Sequence, residues 1–199
     1  MADRIIPIAQ QLLTWSDSCG YSVAWGPMRV LELVRADLEM QRATGALDGA
    51  FARDNLLFDF PQPITDTGQW RVLVVAMPRQ AHIVSFMIGG RRFEAVLPPT
   101  YQRYRPVFED VRQQLIADVL PTSRVEVVDI PLKAVASRLG LIRYGKNNIT
   151  YAASVGSYFQ LIGFATDAEL PLEPDGTRPI FCRDCHRNKR QTRPPRRQF

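Results

Sequence analysis

Leu139-Gly140-Leu141-Ile142-Arg143-Tyr144-Gly145-Lys146-Asn147-Asn148-Ile149 leads through Val155-Gly156-Ser157 into Tyr158-Phe159-Gln160-Leu161-Ile162-Gly163-Phe164-Ala165-Thr166-Asp167. A helical pattern precedes this stretch, and an apolar run with the length of a buried strand ends it. Glycine reaches positive φ without a Cβ clash, and Asn tolerates the same region better than most residues. Gly140, Gly145 and Gly156, with the paired asparagines and Lys146, suit a loop that approaches a ligand closely. They suit equally a tight helix-to-strand connection that binds nothing.

Upstream, Trp70 to Met77 is another almost continuous apolar run, rich in Val and bounded by Gly68 and Pro78, which predicts a central strand covered on both faces. His82 to Met87 and Arg91 to Leu97 flank Gly89-Gly90, a hairpin signal. Tyr21 to Trp25 and Arg124 to Val128 read as short strands. Helical spacing predicts helices from about Arg4 to Ser18, Met28 to Met40 and Tyr101 to Val119, with Thr100 as a cap for the last. Pro131 opens a further helix that stops at Gly140. Gly45 to Asp66 is less regular, broken by Pro61 and Pro63. Helices and strands interleave without an internal repeat, so the expected class is α/β or α+β: a mixed sheet flanked by helices with an inserted hairpin. The expected organisation is a folded domain over 1–170 and a Pro-rich linker and basic tail over 171–199.

Of 199 residues, 46% are hydrophobic and 23% charged, as in a globular protein with a substantial core. No apolar run is long enough to span a membrane, and the N-terminus lacks the regions of an export signal, so a cytoplasmic location is expected. The net charge of +5 is unevenly placed. From Arg178 onward eight basic residues face one acid, Asp184, giving +7, while the remainder carries 17 basic and 19 acidic residues, or −2. Any electrostatic contact with nucleic acid therefore belongs to the tail. Cys19, in a helical pattern, is expected to be a small buried residue. Cys182 and Cys185 form the one close pair, and without an export signal metal or cluster ligation is the better reading than a disulfide.

The run from Leu139 to Leu170, with Gly-Lys-Asn-Asn followed by Gly-Ser and a strand ending in Thr-Asp, resembles the glycine-rich core segment of epoxyqueuosine reductases. It is similar also to related double [4Fe–4S] cluster-binding proteins and, more distantly, to reductive dehalogenases. The resemblance implies an α/β domain that holds a corrinoid (cobalamin) and a ferredoxin-like module whose [4Fe–4S] clusters feed it electrons. It implies that Gly140, Tyr144, Gly145, Lys146, Asn147, Asn148, Gly156 and Ser157 face the cofactor. An acid upstream of the loop would donate the substrate proton; alignment reaches Glu126 without gaps and Asp129 with a short deletion. Asp129 could instead cap the helix that Pro131 opens.

A ferredoxin ligand run has the form C-x2-C-x2-C-x3-C-P. Here Cys182 and Cys185 occupy the first two positions, and Asn188 and Thr192 stand at the next two. His186 could add a ligand for a zinc site. Cys182-Arg183-Asp184-Cys185-His186 also has the spacing of covalent haem attachment, a chemistry that needs export. The expectation is an iron–sulfur and corrinoid oxidoreductase domain, truncated or altered where the cluster module would begin and not self-sufficient in electron transfer. The alternatives are a non-enzymatic ligand- or partner-binding protein tethered to nucleic acid by its tail, and a flavin-binding reductase.

Overall fold

The computed structural model describes residues 7–60, 70–79, 82–97 and 104–172; the expected cap Thr100, the linker beyond Leu172, the basic tail, Cys182 and Cys185 lie outside them. In chain order the elements are α1 (Ile8–Ser18), β1 (Ser22–Pro27), α2 (Arg29–Ala43), α3 (Gly49–Asn55), β2 (Arg71–Pro78), β3 (His82–Ile88), β4 (Arg91–Leu97), α4 (Tyr104–Asp118), β5 (Val125–Val127), α5 (Leu132–Arg138), β6 (Ile142–Tyr144), β7 (Thr150–Ala152) and β8 (Phe159–Thr166). The interleaved α/β class is present. No helix among the described residues is long and apolar enough to cross a membrane.

The two apolar runs are the middle of the main sheet, whose order is β1-β2-β8-β5. Side chains alternate across a strand, so each run serves two cores. On one face Val72, Val74 and Ala76 of β2 and Leu161 and Ala165 of β8 meet Val30, Leu31 and Val34 of α2 and Val135 and Ala136 of α5. On the other, Leu73, Val75, Ile162 and Phe164 meet Leu12 and Trp15 of α1 and Val111 and Leu115 of α4. The result is an α/β/α sandwich, and it explains why both strands carry apolar residues on both faces rather than at alternate positions alone. Gly163 marks the closest approach of α5: a Cβ there would stand 2.5 Å from Leu132 Cδ2 and 3.1 Å from Val128 Cγ2.

Two expectations are corrected. The main sheet is antiparallel rather than mixed, since β1 with β2, β2 with β8 and β5 with β8 all pair antiparallel. An unbroken apolar run reports cover on two faces and says nothing of its neighbours' direction. Cys19 is exposed, because α1 ends at Ser18 and the chain turns away through Gly20 at φ +68°. The segment after Gly45 contains α3, started by Asp48, whose carboxylate accepts from the Phe51 N–H at 2.8 Å. Gly89 and Gly90, at φ +56° and +78°, close β3 and β4 into the expected hairpin, which forms a two-stranded sheet of its own.

The end of β8 is fastened by Asp167. Its carboxylate accepts from the Arg124 backbone N–H at 2.8 Å and from Arg124 Nε at 2.9 Å, and the guanidinium lies 4.7 Å from the centre of the Trp70 ring. Burial alone would push this carboxyl up; the bonds from Arg124 outweigh it and hold the group below the usual carboxylate range. Folding therefore favours the ionised form. The stabilisation is fully present above the ordinary carboxylate value of about 4 and fades as pH falls below it through the depressed native value. Asp167→Asn is expected to lose about 1 kcal/mol at pH 7, with the gap to the parent closing on acidification. Urea unfolding from pH 7 down to pH 3 measures it, and a gap that is constant with pH would show that the charge plays no part.

Candidate functional site

The glycine-rich stretch builds three linked turns. α5 follows Pro131 at its N-cap, φ −66°, and is closed by a left-handed glycine: Gly140, φ +76°, donates to the Ser137 carbonyl at 3.2 Å, and Leu141 N–H reaches back to the Ala136 carbonyl at 2.9 Å. This is a Schellman closure, which satisfies carbonyls that the helix end would leave unpaired. β6 and β7 then form a hairpin over Lys146-Asn147-Asn148. Gly145 N–H donates to the Ile149 carbonyl at 2.7 Å, Asn148 N–H to the Gly145 carbonyl at 3.1 Å, and Asn148 takes the left-handed position at φ +59°. Asn147 Oδ1 accepts from Ile149 N–H at 3.2 Å. A three-residue loop with its last residue left-handed is a standard hairpin closure, and Asn-Asn supplies it. The third turn joins Ala152 and Gly156, which exchange backbone bonds of 2.8 and 3.0 Å.

Gly145 is buried, and a Cβ on it would come within 2.8 Å of both Asn147 Oδ1 and Tyr151 Cε2. Its missing side chain makes room for this chain's own hairpin. The hairpin in turn walls a cavity of about 610 Å³ between α2, α3, the start of α5 and Phe58, in which Tyr144 and Asn148 both take part. Its floor is apolar, with Val34, Leu38, Phe51 and Leu132, and its polar groups are Asp37, Gln41, Lys133, Tyr144 and Asn148. Burial pushes the Tyr144 hydroxyl above its ordinary value, so it keeps its proton at any physiological pH. Arg138, whose side chain is 9% exposed, is paired with Asp37 and ties α5 to α2 beside this cavity.

Gly140 lies elsewhere, in a cleft of about 330 Å³ with Ser22 to Ala24 of β1 and with Ala153 and Ser154. There the Ser22 and Ser154 hydroxyls bond at 2.7 Å. Lys146, Asn147 and Gly156 are exposed and Ser157 is half-buried; none of them lines either hollow. Glu126 is an exposed residue of β5, at the edge of the main sheet. Asp129 is exposed and its backbone pairs with Asp59; it does not cap α5, whose N-cap residue is Pro131, with no side-chain cap. Neither carboxylate lines the cavity, although Pro131, two residues past Asp129, does.

Asp37, Leu38, Phe51, Phe58 and Lys133 are among the cavity residues that the sequence pattern did not single out as site residues. Only the Asp48 cap of α3 carried a local signal for that wall. Among the described residues, no group of three or more His, Cys, Asp or Glu is placed to hold a metal ion. A broad flat cofactor with polar substituents needs an apolar floor and hydrogen-bonding groups at its rim. The cavity offers both at Leu38, Phe51, Tyr144 and Asn148, whereas Gly145 is closed by Tyr151 and Asn147.

No known family profile and no curated protein matches the sequence. Solved structures do match in fold. A selenomethionine-labelled epoxyqueuosine reductase superposes with a TM-score of 0.55 at 18% identity over 88% of this chain and 49% of its own. The epoxyqueuosine reductase of Streptococcus thermophilus gives 0.56 at 15% identity over 89% and 50%. An epoxyqueuosine reductase crystallised with an epoxyqueuosine-modified tRNA stem loop gives 0.54 at 19% identity over 89% and 49%. The chain spans about half the length of these structures, and over that half it is similar to them in fold.

Proposed function

We propose that this chain is the cofactor-binding domain of an epoxyqueuosine reductase-like oxidoreductase, with the 610 Å³ cavity as the site of a flat corrinoid. The observation that supports the reading most is that Tyr144 and Asn148, inside the segment that carries the resemblance, line an apolar cavity of ligand size. A bound corrinoid would supply the reducing chemistry. The chain's own residues between α2 and α5 would hold the ring, with the Tyr144 hydroxyl and the Asn148 amide as donors to its polar substituents. Of the two candidate acids Asp129 is the better placed, two residues before the cavity wall. Cys182 and Cys185 would supply two of the thiolates that a [4Fe–4S] cluster takes.

The test is an anaerobic titration with cobalamin followed by absorbance, with flavin in parallel. The parent is expected to bind cobalamin, and Ala134→Trp, which fills the cavity from α5, to weaken binding about tenfold or more, or ~1.4 kcal/mol. Absence of binding by a folded parent, or a variant that binds as tightly, sinks the reading. Binding of flavin alone would make it a flavin reductase.

A second reading is favoured by the likeness to a structure holding a tRNA stem loop. The +7 segment from Arg178 onward would hold RNA phosphates, with affinity falling steeply as salt rises. RNA titration over a salt series tests it, and salt-independent or absent binding removes it.

A further inference from the structure

The β3–β4 hairpin stands apart from both cores. Every residue of β3 is exposed, and apolar side chains project from both faces: Ile83 is 68% exposed, Met87 64%, Ile88 61% and Phe86 43%. Phe86 stacks on Phe93 across the ribbon, with ring centres 5.8 Å apart. A lone two-stranded ribbon is marginal in water, and an exposed apolar patch of this kind marks a contact surface.

Its two edges differ. β4 carries Arg91, Arg92 and Glu94, whereas β3 carries no formal charge and no proline, the usual devices that keep a free edge from pairing. The two-residue turn at Gly89-Gly90 makes Ile88 and Arg91 a hydrogen-bonded pair. By the alternation of an antiparallel ladder, the amides of Ile83, Ser85 and Met87 then point away from β4.

We propose that this edge pairs with the same edge of a second copy, antiparallel, about a dyad at Ser85. An antiparallel edge is self-complementary under a two-fold axis. Centred on Ser85, the register sets Val84 opposite the second copy's Phe86 and Ile83 opposite its Met87, so each face of the ribbon stays apolar. The arginine-bearing tips go to opposite ends, where they do not repel. Pairing through β4 about Glu94 would set two carboxylates opposite each other instead, at a cost in stability. The β3 side chains expose on the order of 100 Å² each, and covering about half of that gives roughly 350 Å² per copy and ~700 Å² in all, the size of a transient contact. The dimer is therefore a weak one, with a dissociation constant in the micromolar range.

Sedimentation velocity of the full chain across ~1 to ~200 μM is expected to show a reversible monomer–dimer equilibrium. Ser85→Lys and Ser85→Glu each place like charges at the dyad and are expected to weaken the dimer about 100-fold; both give up the Ser85 hydroxyl's bonds with Arg92 and Glu94, and Ser85→Glu also faces Glu94 across its own ribbon, so circular dichroism is recorded on each to establish that the monomer is folded. An equimolar mixture of the two variants restores the dimer. A parent that stays monomeric overturns the proposal, as does association that Ser85→Lys leaves intact or a mixture that stays monomeric.

Discussion

Phe164→Ala is expected to cost about 3–5 kcal/mol, measured by urea unfolding followed by circular dichroism. Phe164 is fully buried and sits in β8, between Leu73 of β2 and Val127 of β5 in the sheet's register. Its ring faces the core formed with α1 and α4, so truncation removes the largest fully buried side chain among the described residues and leaves a void beside both helices. Domains of this size hold only about 5–15 kcal/mol in total, so the variant should lose a large part of its stability. The adjacent position gives the converse test. Gly163→Val adds bulk towards Leu132 and Val128 on the opposite face, where overpacking costs about 1–3 kcal/mol. The two substitutions probe different layers of the sandwich. A loss below about 1 kcal/mol for Phe164→Ala would mean that β8 is not the middle of the core.

The sandwich was legible because its two inner strands announce themselves. Trp70 to Met77 and Phe159 to Thr166 are apolar on both faces, a pattern that only cover on two sides explains. Gly89-Gly90 gave the hairpin, since few other dipeptides reach positive φ twice in a row. What the residues could not show is strand direction and the reason for each glycine. Gly140 proved to be a helix stop and Gly145 a gap filled by Tyr151, which are local duties that leave the same composition as a ligand loop. The cavity itself depends on contacts between distant segments. Lys133, Tyr144 and Asn148 meet Asp37 and Phe51 only once α5 has packed on α2, and no periodicity within either segment records that meeting.

Asp37→Ala is expected to destabilise the chain by about 2–3 kcal/mol, more than Arg138→Met, although the second substitution removes the same ion pair. The asymmetry follows from burial. The Arg138 side chain is 9% exposed and the Asp37 side chain 38%, so removing the carboxylate leaves a guanidinium charge in a poorly solvated place, whereas removing the guanidinium leaves a carboxylate that water still reaches. Methionine also keeps the aliphatic stem of Arg138 packed against its neighbours. The double variant Asp37→Leu with Arg138→Met should recover most of the loss, giving a coupling energy that a double-mutant cycle reads directly. Asp37 lines the cavity from α2 and the ion pair joins α2 to α5, so Asp37→Ala should also weaken cobalamin binding while Arg138→Met leaves more of it. If both single variants lose equal stability and the double variant loses their sum, the pair contributes no coupling between the two helices.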